Sequence, residues 1–120
     1  MQTLSRTFDK PDEVRRFGHG HADFVDLSGS PMQQATFEPG WKWSDDMKPI
    51  AGTDTCQGHH IGYVLAGSMH IESDDGSGCD MHAGDVFNIA PGHDAWVTSD
   101  EACVLLDWGP ASAGYAKAGG

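Results

Sequence analysis

Two stretches decide how this chain is read: Cys56-Gln57-Gly58-His59-His60-Ile61-Gly62-Tyr63-Val64-Leu65-Ala66-Gly67 and Gly84-Asp85-Val86-Phe87-Asn88-Ile89-Ala90-Pro91-Gly92-His93-Asp94-Ala95-Trp96-Val97. Each brings histidine to a short apolar segment bounded by glycine, and the first adds a cysteine. Thiolate and imidazole are the side chains that hold borderline divalent metals. The two stretches lie far apart along the chain, so their donors can meet only if the strands that carry them converge in a folded β-structure.

Working outward, the apolar residues alternate with a period of two, the signature of half-buried strands. Asp23–Ser28 and Met32–Glu38 read as strands separated by the turn Gly29-Ser30-Pro31, and Trp41-Lys42-Trp43 reads as a third. Residues 44–57 form a long loop, a type of segment often used as a lid or a site wall. Further strands are expected at about 60–66, 68–73, 79–83, 85–90, 94–98 and 102–108, with Asp74-Asp75-Gly76-Ser77-Gly78 as a hairpin turn. Many short strands at this spacing imply a β-sandwich or a closed barrel. At the N-terminus, Asp9 is placed to cap a short helix through Pro11–Phe17, stopped by Gly18 and Gly20. The resulting division is a lead-in over 1–21, a barrel over 22–109 and an Ala/Gly-rich, flexible tail over 110–120.

Composition narrows the function. With 120 residues the chain suits one domain, and 16 glycines and 6 prolines fit a turn-rich, all-β protein. The formal charge of -11, with only 7 Lys and Arg, argues against nucleic acid and against an anionic membrane surface. No apolar run approaches a membrane span, and the N-terminus lacks the apolar stretch of a secretory signal. Three cysteines without CxxC spacing do not make a disulfide framework, which points to a reducing, cytoplasmic setting.

The order Tyr63-Val64-Leu65-Ala66-Gly67, then Ala83-Gly84-Asp85, then Ile89-Ala90-Pro91-Gly92-His93 resembles the two motif strands of small single-domain cupins. Phe37–Ser44 is similar to a run in a subgroup of small bacterial cupins. The resemblance implies a jelly-roll barrel of two antiparallel sheets enclosing a metal or ligand pocket, commonly in a homodimer. It also implies a ligand set, from which this chain departs. Where the family has H-x-H the sequence has Asp54 and Cys56, where it has a glutamate the sequence has His60, and His93 follows Gly92 directly rather than three residues on. The implied metal ligands are therefore Cys56, His60 and His93, with Asp54 or His59 as further candidates to join the site or move a proton.

A thiolate and two imidazoles leave one position open on a bound metal, and their softness favours zinc, nickel or iron over manganese or magnesium. Expected functions are a metal-dependent enzyme acting on a small oxygen-chelating substrate, of dioxygenase, isomerase or lyase type, or a ligand-binding or sensory protein without turnover. The remaining histidines read differently. His19-Gly20-His21 is an H-x-H outside the resemblance, and His70 and His82 are expected to face outward. Cys79 and Cys103 read as structural, and the four tryptophans read first as packing residues.

Overall fold

The computed structural model describes residues 3–112. Nine strands carry the fold: β1 (Glu13–Phe17), β2 (Gly20–Asp26), β3 (Pro31–Phe37), β4 (His60–Ala66), β5 (Ser68–Ser73), β6 (Gly78–His82), β7 (Val86–Ile89), β8 (His93–Val97) and β9 (Cys103–Asp107). Two single-turn helices, α1 (Trp43–Asp46) and α2 (Lys48–Ala51), lie between β3 and β4. A six-stranded sheet in the order β1-β2-β3-β9-β4-β7 faces a three-stranded sheet in the order β6-β5-β8, and every pairing is antiparallel. The pairing of β3 and of β4 with β9 joins the two ends of the chain through the centre of the larger sheet.

The core follows from period-two alternation. β3 buries Gln33, Ala35 and Phe37, β9 buries Cys103, Leu105 and Asp107, and β4 buries His60, Gly62 and Val64. These faces meet Met69 and Ile71 of β5, Met81 of β6 and Ala95 of β8. One end is closed by Trp41, Trp43 and Met47, with the Trp41 ring 4.3 Å from Phe37. Toward the other end of the same layer the inward residues turn polar, and the candidate site lies there. No helix of the described residues is long and apolar enough to cross a membrane.

Several expectations are corrected. The segment expected as an N-terminal helix, Pro11–Phe17, holds strand β1, which pairs with β2 over five positions from Glu13↔Phe24 to Phe17↔Gly20. So short a helix is marginal in water, and the free edge of β2 offers a full set of backbone partners instead. Asp12, rather than Asp9, organises the entry: it pairs with Arg6 at 2.8 Å and accepts the Asp26 amide at 2.8 Å. Trp41-Lys42-Trp43 is not a strand: Lys42 makes an isolated bridge to Trp96, and Trp43 opens α1. The long loop over 44–57 contains α1 and α2, and the other strands shift by up to three residues at their ends. Of the tail expected to be flexible, residues 113–120 lie outside the described residues.

Candidate metal centre

Three elements bring the donors together. Cys56 ends the segment after α2 and is pinned to the start of β8: its amide donates to the His93 carbonyl at 2.7 Å, and the Gly92 amide donates to its own carbonyl at 2.7 Å. His60 opens β4 on the inward face, and His93 opens β8 facing it. Gly92, at φ 89, provides the left-handed turn into β8. Gly58 leaves room for His60, because a Cβ there would fall 2.8 Å from Nε2.

Sγ of Cys56 and one ring nitrogen from each of His60 and His93 lie within 4.8 Å of one another. Cys56 is 1% exposed, His60 7% and His93 3%. Sγ of Cys56 is 3.5 Å from Nε2 of His60, and the two imidazoles stand edge to face with centroids 5.4 Å apart. The opposite edge of each ring is tied down. His93 Nδ1 donates to the Ala90 carbonyl at 2.8 Å, which obliges that nitrogen to carry the hydrogen and leaves Nε2 with a lone pair. His60 Nδ1 lies 2.7 Å from Oδ2 of Asp107, whose Oδ1 accepts the Gly109 amide at 2.8 Å.

This donor set fits a metal. Bond lengths of about 2.3 Å to sulfur and about 2.0 Å to nitrogen, at a tetrahedral angle, put the two donors roughly 3.5 Å apart. The Cys56–His60 separation matches that value. Metal-binding histidines also typically donate the distal N–H to a carboxylate or a backbone carbonyl, and the site has one of each.

Electrostatics support the same reading. Burial raises the Cys56 thiol, but hydrogen bonds to His60 and His93 and their charges outweigh it and bring the group down to about 6. Burial lowers His60, while hydrogen bonds to Asp107 and Cys56 and their charges bring it up to about 9. Without a metal, then, the pair favours thiolate and imidazolium. A metal taking the thiolate and Nε2 would displace the imidazolium proton.

Around the donors lies a cavity of about 40 Å³, lined by apolar side chains from both sheets and by five polar residues: Gln33, Cys56, His60, His93 and Asp107. The two candidates for proton transfer are not in it. Asp54 is a surface residue whose carboxylate reaches Lys48 at 3.4 Å with its side chain 98% exposed. His59 lies on the opposite face from His60, with Nε2 2.7 Å from Oδ1 of Asn88. For His59 the physical reason is alternation, since its outward turn follows once His60 points in; Asp54 lies in the bend before the Cys56 bridge, where no strand pairing directs its side chain inward. His19 contacts Asp46 at 3.0 Å, His21 lies 3.4 Å from Asp23, and His70 and His82 face away from the pocket.

Two pocket residues, Asp107 and Gln33, escape a search restricted to metal-ligand motifs. Their signal is still present in the sequence, as a polar residue two positions from apolar ones on the inward face of a strand: Leu105 to Asp107, and Gln33 to Ala35.

Neither a protein-family model nor a curated protein sequence matches the chain. Solved structures do. A protein of unknown function from Rhizobium leguminosarum bv. viciae 3841 aligns at 16% identity over 89% of this chain and 95% of its own, with a TM-score of 0.62. KdgF from a Halomonas species aligns at 18% identity over 89% and 91%, with a TM-score of 0.59. An RmlC-like cupin from Shewanella frigidimarina NCIMB 400 aligns at 18% identity over 79% of each chain, with a TM-score of 0.53. These likenesses agree with the two-sheet topology: the chain has the fold of the small single-domain cupins.

Proposed function

We propose that this protein is a metal-binding small cupin in which Cys56 Sγ, His60 Nε2 and His93 Nε2 hold one divalent transition metal. One observation carries the reading: both buried imidazoles have Nδ1 tied to a fixed oxygen, so that Nε2 is left facing the thiolate. Zinc, nickel and iron suit this mixed sulfur and nitrogen set. A metal held there supplies a Lewis acid with an open position for a small oxygen ligand.

The chain's own residues do the rest. Asp107 holds His60 in the ligating orientation, and the Ala90 carbonyl does the same for His93. Apolar walls from Ala35, Leu105, Ile71 and Phe87 keep bulk water away from the donors. Enzyme action on a small oxygen-chelating substrate is the activity we favour. With Asp54 and His59 outside the cavity, a dioxygenase-type reaction, which relies least on a protein base, suits this pocket better than an isomerase or a lyase. The lack of a free acid or base among the pocket's described residues also supports a second reading, a cupin that binds a small molecule without turning it over.

Elemental analysis of untagged protein purified without chelator tests the metal. About one equivalent of zinc, nickel or iron per chain is expected; none, even after reconstitution, removes the proposal. Oxygen uptake by iron-loaded protein offered small hydroxy- and oxo-acids then separates the enzyme from the binder.

A further inference from the structure

Gln33 is 0% exposed, yet neither its amide nitrogen nor its amide oxygen has a hydrogen-bond partner. Buried side-chain amides are normally satisfied, because each unpaired polar group keeps the cost of leaving water. Here the register explains the placement. Gln33 pairs with Asp107 across β3 and β9, and both side chains lie on the inward face. Asp107 is directed elsewhere, with one oxygen on His60 and the other on the Gly109 amide, and neither comes within hydrogen-bond distance of the Gln33 amide. The Gln33 amide lines the same cavity as Cys56, His60 and His93. The indole N–H of Trp41 is also unpartnered and its residue lines the same cavity, but it is a single donor beside Phe37, at the other end of β3 from Gln33.

A primary amide carries two N–H donors, and a carboxylate oxygen can accept from them. The open position of a thiolate–imidazole metal takes an oxygen anion. The cavity of about 40 Å³ admits roughly three water-sized groups, and its other walls are apolar. We propose that Gln33 is the second anchor of the pocket's ligand and that this ligand is a small carboxylate, bound to the metal by one oxygen and to the Gln33 amide through its carboxyl group. The inference rests on the metal reading above and goes beyond it by naming a recognition residue and a ligand class.

The test uses cobalt(II)-loaded full-length protein, with formate and azide as probes, each followed by its shift of the cobalt visible absorption. Azide needs only the metal, whereas formate is expected to use both anchors. In Gln33→Met, which keeps the side-chain length, and in Gln33→Leu, cobalt uptake should stay at one equivalent. Formate binding should weaken about tenfold, as when a buried polar group loses its partner, and azide binding should change less than about threefold. The metal-free variants should also melt higher than wild type, because the unpaired amide is gone.

Formate binding equally well to both variants, or failing to bind wild type that binds azide, overturns the proposal and leaves the metal reading standing. Equal weakening of formate and azide also overturns it, since the substitution would then act on the metal. Failure of wild type to take up cobalt removes both.

Discussion

His60 and His70 both lie 2.7 Å from an aspartate oxygen, yet they belong to different physical worlds. The His60–Asp107 pair is buried, with side chains 9% and 6% exposed. His70 sits between Asp80 and Glu72, each at 2.7 Å, with those carboxylates 65% and 43% exposed. At His70 both ring nitrogens are spent on carboxylates and water competes for all three groups. At His60 only one nitrogen is spent, and the other points at a thiolate inside an apolar wall. The distance alone therefore says little; burial and a second nitrogen turned to a thiolate rather than to another carboxylate separate a site from a surface ion pair.

Breaking the two histidines gives the largest expected contrast. His60→Ala or His93→Ala should abolish metal content while β-sheet circular dichroism persists, and His70→Ala should leave one equivalent in place. Metal retained in both pocket variants would refute the ligand assignment.

Their aspartates should differ next. Asp107→Ala strands a buried imidazole and leaves the Gly109 amide without its acceptor. Denaturant unfolding should show a loss of about 3–5 kcal/mol, and metal affinity should fall about 10- to 100-fold. Asp80→Ala should cost under about 1 kcal/mol, since its pair is exposed.

Thiol labelling sharpens the comparison without mutation. Cys79 is exposed and should react at once in the native protein. Cys103 is buried, and burial pushes its thiol up to about 12, so it should react only on unfolding. Cys56 is as buried but favours the thiolate, so in metal-free protein it should label more slowly than Cys79 and faster than Cys103, and one equivalent of metal should protect it. If metal gives no protection, the thiolate is not a ligand.

The smallest effect is the pH response of the surface cluster. Hydrogen bonds to Glu72 and then Asp80 raise the His70 pKa. A raised value means that the folded state favours the proton. The stabilisation is complete below the unfolded value of about 6.5 and is lost as pH rises through the folded value. Because its two carboxylate partners are exposed to water, His70→Gln should remove only a slight slope, under about 1 kcal/mol, from stability measured between pH 6 and 8.

Much of this contrast was legible in the sequence. Period-two alternation placed β4 and β5 at their observed limits, put His60 on the same face as Val64, and set His70 apart from the pocket. The resemblance around Gly67 and Gly92 singled out Cys56, His60 and His93, and the fold brings all three within reach of one ion. Where the reading failed, long-range pairing had decided the outcome. The EVRRF segment follows the open edge of β2 rather than its local cap. Trp43 turns into α1 because the aromatic end of the core draws it inward, where it is 2% exposed. Asp54 and His59 stand close to Cys56 and His60 in sequence, yet neither side chain reaches the pocket. Asp107 and Gln33 were recoverable only by asking which polar residues sit on an inward strand face.

The most direct test of the central claim is a cobalt(II) titration of metal-free protein and of Cys56→Ser, followed by absorption. A thiolate–imidazole centre predicts saturation at one equivalent with a sulfur-to-cobalt charge-transfer band, and loss of that band with weaker binding in Cys56→Ser. Absence of stoichiometric uptake by wild type, or an identical spectrum and affinity in Cys56→Ser, would contradict it.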